Sequence, residues 1–93
     1  MNAIEVDCRP STDGWTCDVG VADDRSRSRH TVGVTTADLA RFDPTATEPT
    51  DLVRRSFDFL LRHEPKDSIM ASFDLPVISR YFPNYESEIG RRV

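Results

Sequence analysis

Apolar side chains recur with one period in the first part of the chain and with a different period after it. Ile4, Val6 and Cys8 alternate with charged residues, a second alternating run begins at Trp15, and a third covers residues 27–35. A period of two is typical of half-buried strands, and short connections favour antiparallel neighbours. The pattern therefore predicts a three-stranded antiparallel β-meander.

Helical spacing replaces this alternation from Thr36 onward. Thr36 is the predicted N-cap of one short helical turn. A main helix is predicted to begin at residues 48–50 and to end at His63, because Pro65 disfavours helix at the residue before it. Two to three short C-terminal helices complete the pattern: one over residues 66–73, one capped by Asp74 and stopped by Pro83, and a last turn after Asn84.

Length and composition fit a single α+β domain over residues 1–93. Its predicted parts are the meander at 1–35, a helical half at 36–89 and a frayed tail at 90–93. A formal charge of −4 and a pI near 5.0 disfavour a surface that attracts phosphate overall. No secretory signal is visible, and no apolar run approaches the roughly 20 residues of a bilayer span. The expected location is cytoplasmic, with no membrane partner.

The two cysteines fall in the first two predicted strands. A four-residue loop over residues 10–13 sets Cys8 opposite Trp15 and leaves Cys8 and Cys17 diagonal on the apolar face, whereas a loop two residues shorter sets them directly opposite. Because a cytoplasmic location keeps thiols reduced, we expect two free cysteines that act as small core residues.

Motifs for catalysis and metal binding are missing from the sequence. The metal-ligand candidates Cys8, Cys17, His30 and His63 lack zinc spacing, and no nucleophile-elbow, P-loop or dinucleotide signature occurs. Cys17 and His30 can share a sheet face, but apolar neighbours favour an inert thiol, and His30 is expected near a sheet edge, either hydrogen-bonded or partly exposed. Ser56 and His63 fall on the apolar side of the main helix, where a polar pair could be functional, but close packing and the helix dipole are the favoured explanations. We predict no catalytic residue, no cofactor and no metal.

The main helix has an unusually wide apolar arc of roughly 200° when its residues are placed at 100° each. Such an arc predicts contacts with the sheet and with a second body, either the following helices or a partner chain. Aromatic residues are common interface anchors, so the sequence favours a non-catalytic protein–protein interaction or regulatory module, with a protein partner or a homo-oligomer. The candidate surface consists of Phe59, Tyr81, Phe82 and Tyr85. The alternative is that these aromatics cover the domain's own core.

Two other functions compete with this interpretation. Arg25, Arg27 and Arg29 would project to one face of an extended strand and contact phosphates, as in a small antitoxin-like regulator. Asp23 and Asp24 precede them and weaken the patch. A small enzyme with an unrecognised site is the third hypothesis.

One longer pattern carries a resemblance. The chain reads S-F-x-F-L-L-x-x-E-P-x-x-S-I from Ser56 to Ile69 and F-D-L-P-V-I-x-x-Y-F-P from Phe73 to Pro83. This pattern resembles a group of short uncharacterised bacterial proteins and covers about half of the chain. The resemblance implies a bacterial origin and carries over no activity, cofactor or catalytic residue.

Overall fold

Three long strands open the computed structural model, which describes residues 3–90. They are β1 (Ala3–Ser11), β2 (Gly14–Ala22) and β3 (Arg27–Thr35), and each pairs antiparallel with the next. Burial alternates along β2 and β3, so one face of the sheet covers the core and the other meets solvent. The predicted antiparallel meander and the α+β class are confirmed at this level.

A fourth strand, β4 (Ser72–Asp74), extends the sheet beyond the predicted meander. It runs parallel to β3, giving a mixed sheet with the order β1–β2–β3–β4. The helix predicted over residues 66–73 is wrong, since only Lys66–Ser68 forms a 3₁₀ turn. The reason is a long-range bond pattern that overrides local spacing: the Thr31 N–H donates to the Ala71 carbonyl at 2.7 Å.

The disulfide is the largest correction to the sequence analysis. Residues 12 and 13 alone form the turn between β1 and β2, so Cys8 directly opposes Cys17 and not Trp15. Their Cα atoms lie 3.9 Å apart, and the two sulfurs are bonded. The expectation of two reduced core cysteines is therefore wrong. Disulfides are typical of oxidising environments, which weakens the basis of the cytoplasmic prediction.

Close backbone packing at Gly14 joins the start of β2 to the end of β3. A Cβ atom at Gly14 would lie 2.1 Å from the Val34 carbonyl oxygen and 2.6 Å from the Thr35 Cα. Only glycine permits the two backbones to approach so closely at the start of β2. The tight turn lies directly before it.

The first helix, α1 (Thr36–Phe42), is capped by Thr35 and not by Thr36. The Asp38 N–H donates to the Thr35 hydroxyl, and the Thr35 N–H donates to the Asp38 carboxylate, both at 3.0 Å. This reciprocal pair is a capping box. The last residue of β3 therefore also begins the helix.

The main helix, α2 (Thr50–His63), ends where Pro65 predicts. Glu64 has extended backbone, with φ −154° and ψ 156°. The helix packs against both β1 and α4 (Tyr85–Ile89), as its wide apolar arc requires. Its buried residues are Leu52, Val53, Ser56, Phe57, Phe59 and Leu60.

Two short helices close the described part of the chain. Asp74 ends β4 and caps no helix, and α3 (Val77–Tyr81) begins after Pro76 instead. The last helix, α4, follows Asn84, and the predicted tail residues 91–93 lie outside the described part. None of the helices within residues 3–90 has the length and apolar character that a membrane span requires.

Arg55 of α2 contacts the ends of two other helices. The Arg55 guanidinium donates to the Asp43 carboxylate at 2.7 Å, to Asp51 at 2.8 Å and to the Ile89 carbonyl at 2.7 Å. Asp43 is buried just after α1, and Ile89 ends α4. These contacts fix the C-terminal ends of α1 and α4 against α2.

Candidate binding groove

An apolar groove lies where the C-terminal end of α2 meets β4 and α3. Its cavity measures about 340 Å³. Each contributing element supplies at least one apolar side chain. The walls are formed by Leu60, Ile69, Phe73, Val77, Ile78 and Phe82. The volume is at the lower end of the range of protein ligand sites.

Two exposed apolar side chains stand at the rim of this groove. Tyr81 is 67% exposed and Met70 is 43% exposed, and they are the large hydrophobic residues that stand out in this way between residues 3 and 90. Scattered exposed apolar residues are ordinary in proteins, whereas these two stand beside the same concave apolar site.

One carboxylate lines the groove. Glu64 is half-buried at the C-terminal end of α2, where the helix dipole is negative. The neighbouring Arg62 lines a different depression, together with Asp58 and Glu88. The lining of the groove is therefore mostly apolar, and Glu64 is the one charged side chain among its described residues.

His30 holds one edge of the groove in place. It is buried on β3, and its Nδ1–H donates to the Met70 carbonyl at 2.8 Å. Its Nε2 bonds the Ser28 hydroxyl at 2.8 Å, and its ring packs on Phe57. Of the two alternatives predicted for His30, hydrogen bonding is confirmed and partial exposure is wrong, because β4 covers the edge of β3. The bond fixes the Met70 backbone and leaves the Met70 side chain at the rim.

Lys66 anchors the segment that leads into the groove. It is buried, and its Nζ lies 3.1 Å from the Asp23 carboxylate and 2.5 Å from the Ser26 hydroxyl. The backbone N–H groups of Arg25 and Ser26 also donate to Asp23, at 2.8 and 2.9 Å. These backbone bonds, with the lysine, lower the pKa of Asp23 to about 2. The sequence analysis missed this anchor, although Lys66 is the one lysine in the chain.

The four aromatics of the predicted interaction surface divide into two pairs. Tyr81 is exposed and Phe82 lines the groove half-buried, so a partner can reach both. Phe59 and Tyr85 are fully buried and pack edge-to-face, with ring centroids 5.3 Å apart. Phe59 and Tyr85 therefore belong to the core of the domain and are not part of an exposed surface.

Ser56 and His63 take structural places on α2. The Ser56 hydroxyl donates to the Leu52 carbonyl at 2.8 Å and accepts from the Tyr85 hydroxyl at 2.7 Å. Burial raises the pKa of Tyr85 to about 12. His63 is exposed and packs its ring on Phe82, with centroids 5.2 Å apart.

The three arginines of the predicted phosphate stripe do not form one row. Arg27 and Arg29 share the solvent face of β3, but Arg25 lies in the preceding turn. Arg29 opposes Gly20 and lies diagonal to Asp18, whose pKa is lowered, chiefly by its hydrogen bond from Arg9 and also by the charge of Arg29. A shallow depression places Arg27 and Arg29 beside Glu5. Carboxylates are thus interleaved with the arginines.

Comparisons with known proteins add no name to this geometry. No protein-family model, curated protein or solved structure matches the chain. Among residues 3–90, no group of three histidine, cysteine or acidic side chains is placed to hold a metal ion. Cys17 is bonded to Cys8 and so offers no thiol to His30. The groove is therefore the feature from which a function can be argued.

Proposed function

We propose that this protein is a small non-catalytic interaction module that binds a short amphipathic segment of a partner protein in the groove between α2, β4 and α3. The observation that carries the proposal is the position of Met70 and Tyr81, which stand exposed at the rim of an apolar groove. Exposed aromatic and methionine side chains are typical of interfaces that repack around a partner.

The chemistry of the groove supports a partner of a particular kind. An aliphatic or aromatic side chain would fill the apolar cavity, and a lysine or arginine beside it would meet Glu64. Amphipathic helices dock in grooves of this type through anchors three or four residues apart. Ser68 and Glu64 both line the groove, but no hydrogen bond joins them within the described residues, so they do not form a nucleophile–base pair, which supports binding over catalysis.

A peptide selection tests the proposal. A random library displayed on phage is enriched on the wild-type protein, and the recovered peptides are measured against Tyr81→Arg, Glu64→Gln and Ala40→Arg. Ala40 is exposed on α1, away from the groove lining, and provides the control for an added arginine. We expect the selected peptides to carry paired apolar anchors and a basic residue. Tyr81→Arg should bind them about tenfold more weakly, and Ala40→Arg should bind them with the affinity of the wild type.

Two results would count against the groove. One is the absence of any enriched peptide, and the other is a peptide that binds the Tyr81→Arg and Ala40→Arg variants equally well. The Glu64→Gln variant separates the two parts of the proposed recognition, because it removes the charge and keeps the apolar cavity. We expect Glu64→Gln to reduce the affinity for peptides with a basic residue several-fold. Its affinity for a peptide in which norleucine replaces the lysine should not change.

Nucleic-acid contact through Arg25, Arg27 and Arg29 has less support, because Asp18 and Glu5 lie on the same sheet face. Binding to duplex and single-stranded nucleic acid over a salt series tests it directly. A steep loss of affinity with salt that disappears when the three arginines are replaced by alanine would favour this alternative.

A further inference from the structure

The outer edge of β1 lacks a strand partner within residues 3–90. β1 is the first strand of the sheet order, spans Ala3–Ser11 and pairs only with β2 on its inner side. A long edge strand presents a row of backbone donors and acceptors that another strand can pair with. This edge lies in a different part of the molecule from the lining of the groove, so an interaction here does not rest on the proposed function.

The hydrogen bonds at the other edge identify which groups of β1 point outward. The Thr31 N–H and the Gly33 carbonyl bond the β4 segment. The backbone N–H and C=O groups of successive residues point to opposite sides of a strand, so the even-numbered residues of β3 bond β2. By the same alternation along β2, the odd-numbered residues of β1 bond β2. The backbone N–H and C=O groups of Ile4, Val6 and Cys8 therefore face outward.

We propose that this edge pairs with β1 of a second copy of the chain, antiparallel, about a two-fold axis at Asp7. In this register Val6 of each copy opposes Cys8 of the other, and Glu5 opposes Arg9. Two symmetry-related ion pairs then form across the contact. The self-complementary placement of Glu5 and Arg9 on either side of Asp7 is the feature that favours a second copy over an unrelated strand.

Moving the axis to Val6 gives a less favourable register. Glu5 of each copy would then oppose Asp7 of the other, so like charges meet twice. Shifting the pairing by a single residue is excluded, because it would turn the apolar side chains of the added strand to solvent.

Moving the axis to Cys8 would place Asp7 opposite Arg9 of the other copy twice, but it costs backbone hydrogen bonds. Val6 would then oppose Pro10, which has no N–H to donate, in the pair next to the centre of the contact. With the axis at Asp7, Pro10 opposes Ile4 at the outer end of the paired region, where strand ends contribute least. The Asp7 register therefore keeps the central Val6–Cys8 pairs complete.

The side chains of β1 on the core face are consistent with an added strand. Ile4, Val6 and Cys8 are only half-buried, whereas the matching residues of β2 are buried. A second β1 would continue the sheet and cover these positions. The two Asp7 carboxylates would face each other at the axis, so the dimer is expected to be weak and dependent on concentration.

Sedimentation equilibrium over a wide concentration range tests the inference. We expect a reversible dimer whose dissociation constant rises about tenfold in Arg9→Glu and returns towards the wild-type value in the charge swap Glu5→Arg/Arg9→Glu. Asp7→Asn should lower the dissociation constant several-fold because it removes the like-charge pair. The charge swap also controls for loss of the exposed ion pair between Arg9 and Asp18.

Amide hydrogen exchange adds a readout at the edge itself. The Val6 and Cys8 amides should gain protection as concentration rises, whereas the Glu5 and Asp7 amides should change little because β2 already binds them. A wild-type protein that stays monomeric at every concentration would overturn the inference. So would a dimer that Arg9→Glu leaves intact, or one that Asp7→Asn weakens.

Discussion

Removing the Cys8–Cys17 disulfide should lower the stability of this small domain by a large fraction. The two cysteines are nine positions apart, so their bond closes a short loop in the unfolded chain. The chain-entropy relation then gives a stabilisation of about 2.6 kcal/mol at 25 °C. A domain of this length has a total free energy of unfolding of about 5–10 kcal/mol, so the loss is severe but leaves the chain folded.

Urea unfolding of the oxidised and reduced protein measures this difference. With a slope of about 1 kcal/mol per molar urea, the midpoint should fall by about 2–3 M on reduction. The Cys8→Val/Cys17→Val variant is the control, because valine fills a similar apolar volume without a crosslink. It should unfold close to the reduced wild type and should not respond to reductant. Equal midpoints for the oxidised and reduced protein would refute the reasoning.

Three other substitutions probe specific contacts. The pKa of Asp23 is lowered to about 2, so its carboxylate contributes stability that is present above about pH 4 and lost as the pH falls through 2. Asp23→Asn should therefore make the free energy of unfolding less dependent on pH in this window, whereas Asp24→Asn should not. Tyr85→Phe should lower the free energy of unfolding, measured by heat or urea, by about 1 kcal/mol, because the buried Ser56 hydroxyl loses its hydrogen-bond donor. An unchanged stability would contradict a role for that bond. Gly14→Ala should cost about 2 kcal/mol or more, since its Cβ would meet the Val34 carbonyl, and a fully stable variant would contradict this packing.

Local signals were sufficient to predict the strands of the meander and the main helix. Alternation from Ile4 and from Trp15 marked β1 and β2, and Pro65 marked the end of α2, because these signals act within a few residues. The width of the apolar arc on α2 likewise predicted its two packing sides, and both the sheet and α4 occupy them.

Features that depend on distant backbone could not be predicted in the same way. β4 exists because residues 71–75 meet β3, and its apolar spacing alone resembled a helix. The disulfide depended on the length of one turn, and the close approach at Gly14 that accompanies the short turn is a tertiary contact. The groove arises where α2, β4 and α3 converge, so its lining could not be listed without β4.

The most direct test of the proposed binding site is an NMR titration of the isotopically labelled protein with the tightest peptide from the selection. We expect the largest shift changes at residues of the groove, with Glu64, Met70, Phe73 and Tyr81 among them, and small changes on the solvent face of the sheet. Changes centred on β1 or on Arg27 and Arg29, with an unaffected groove, would contradict the account.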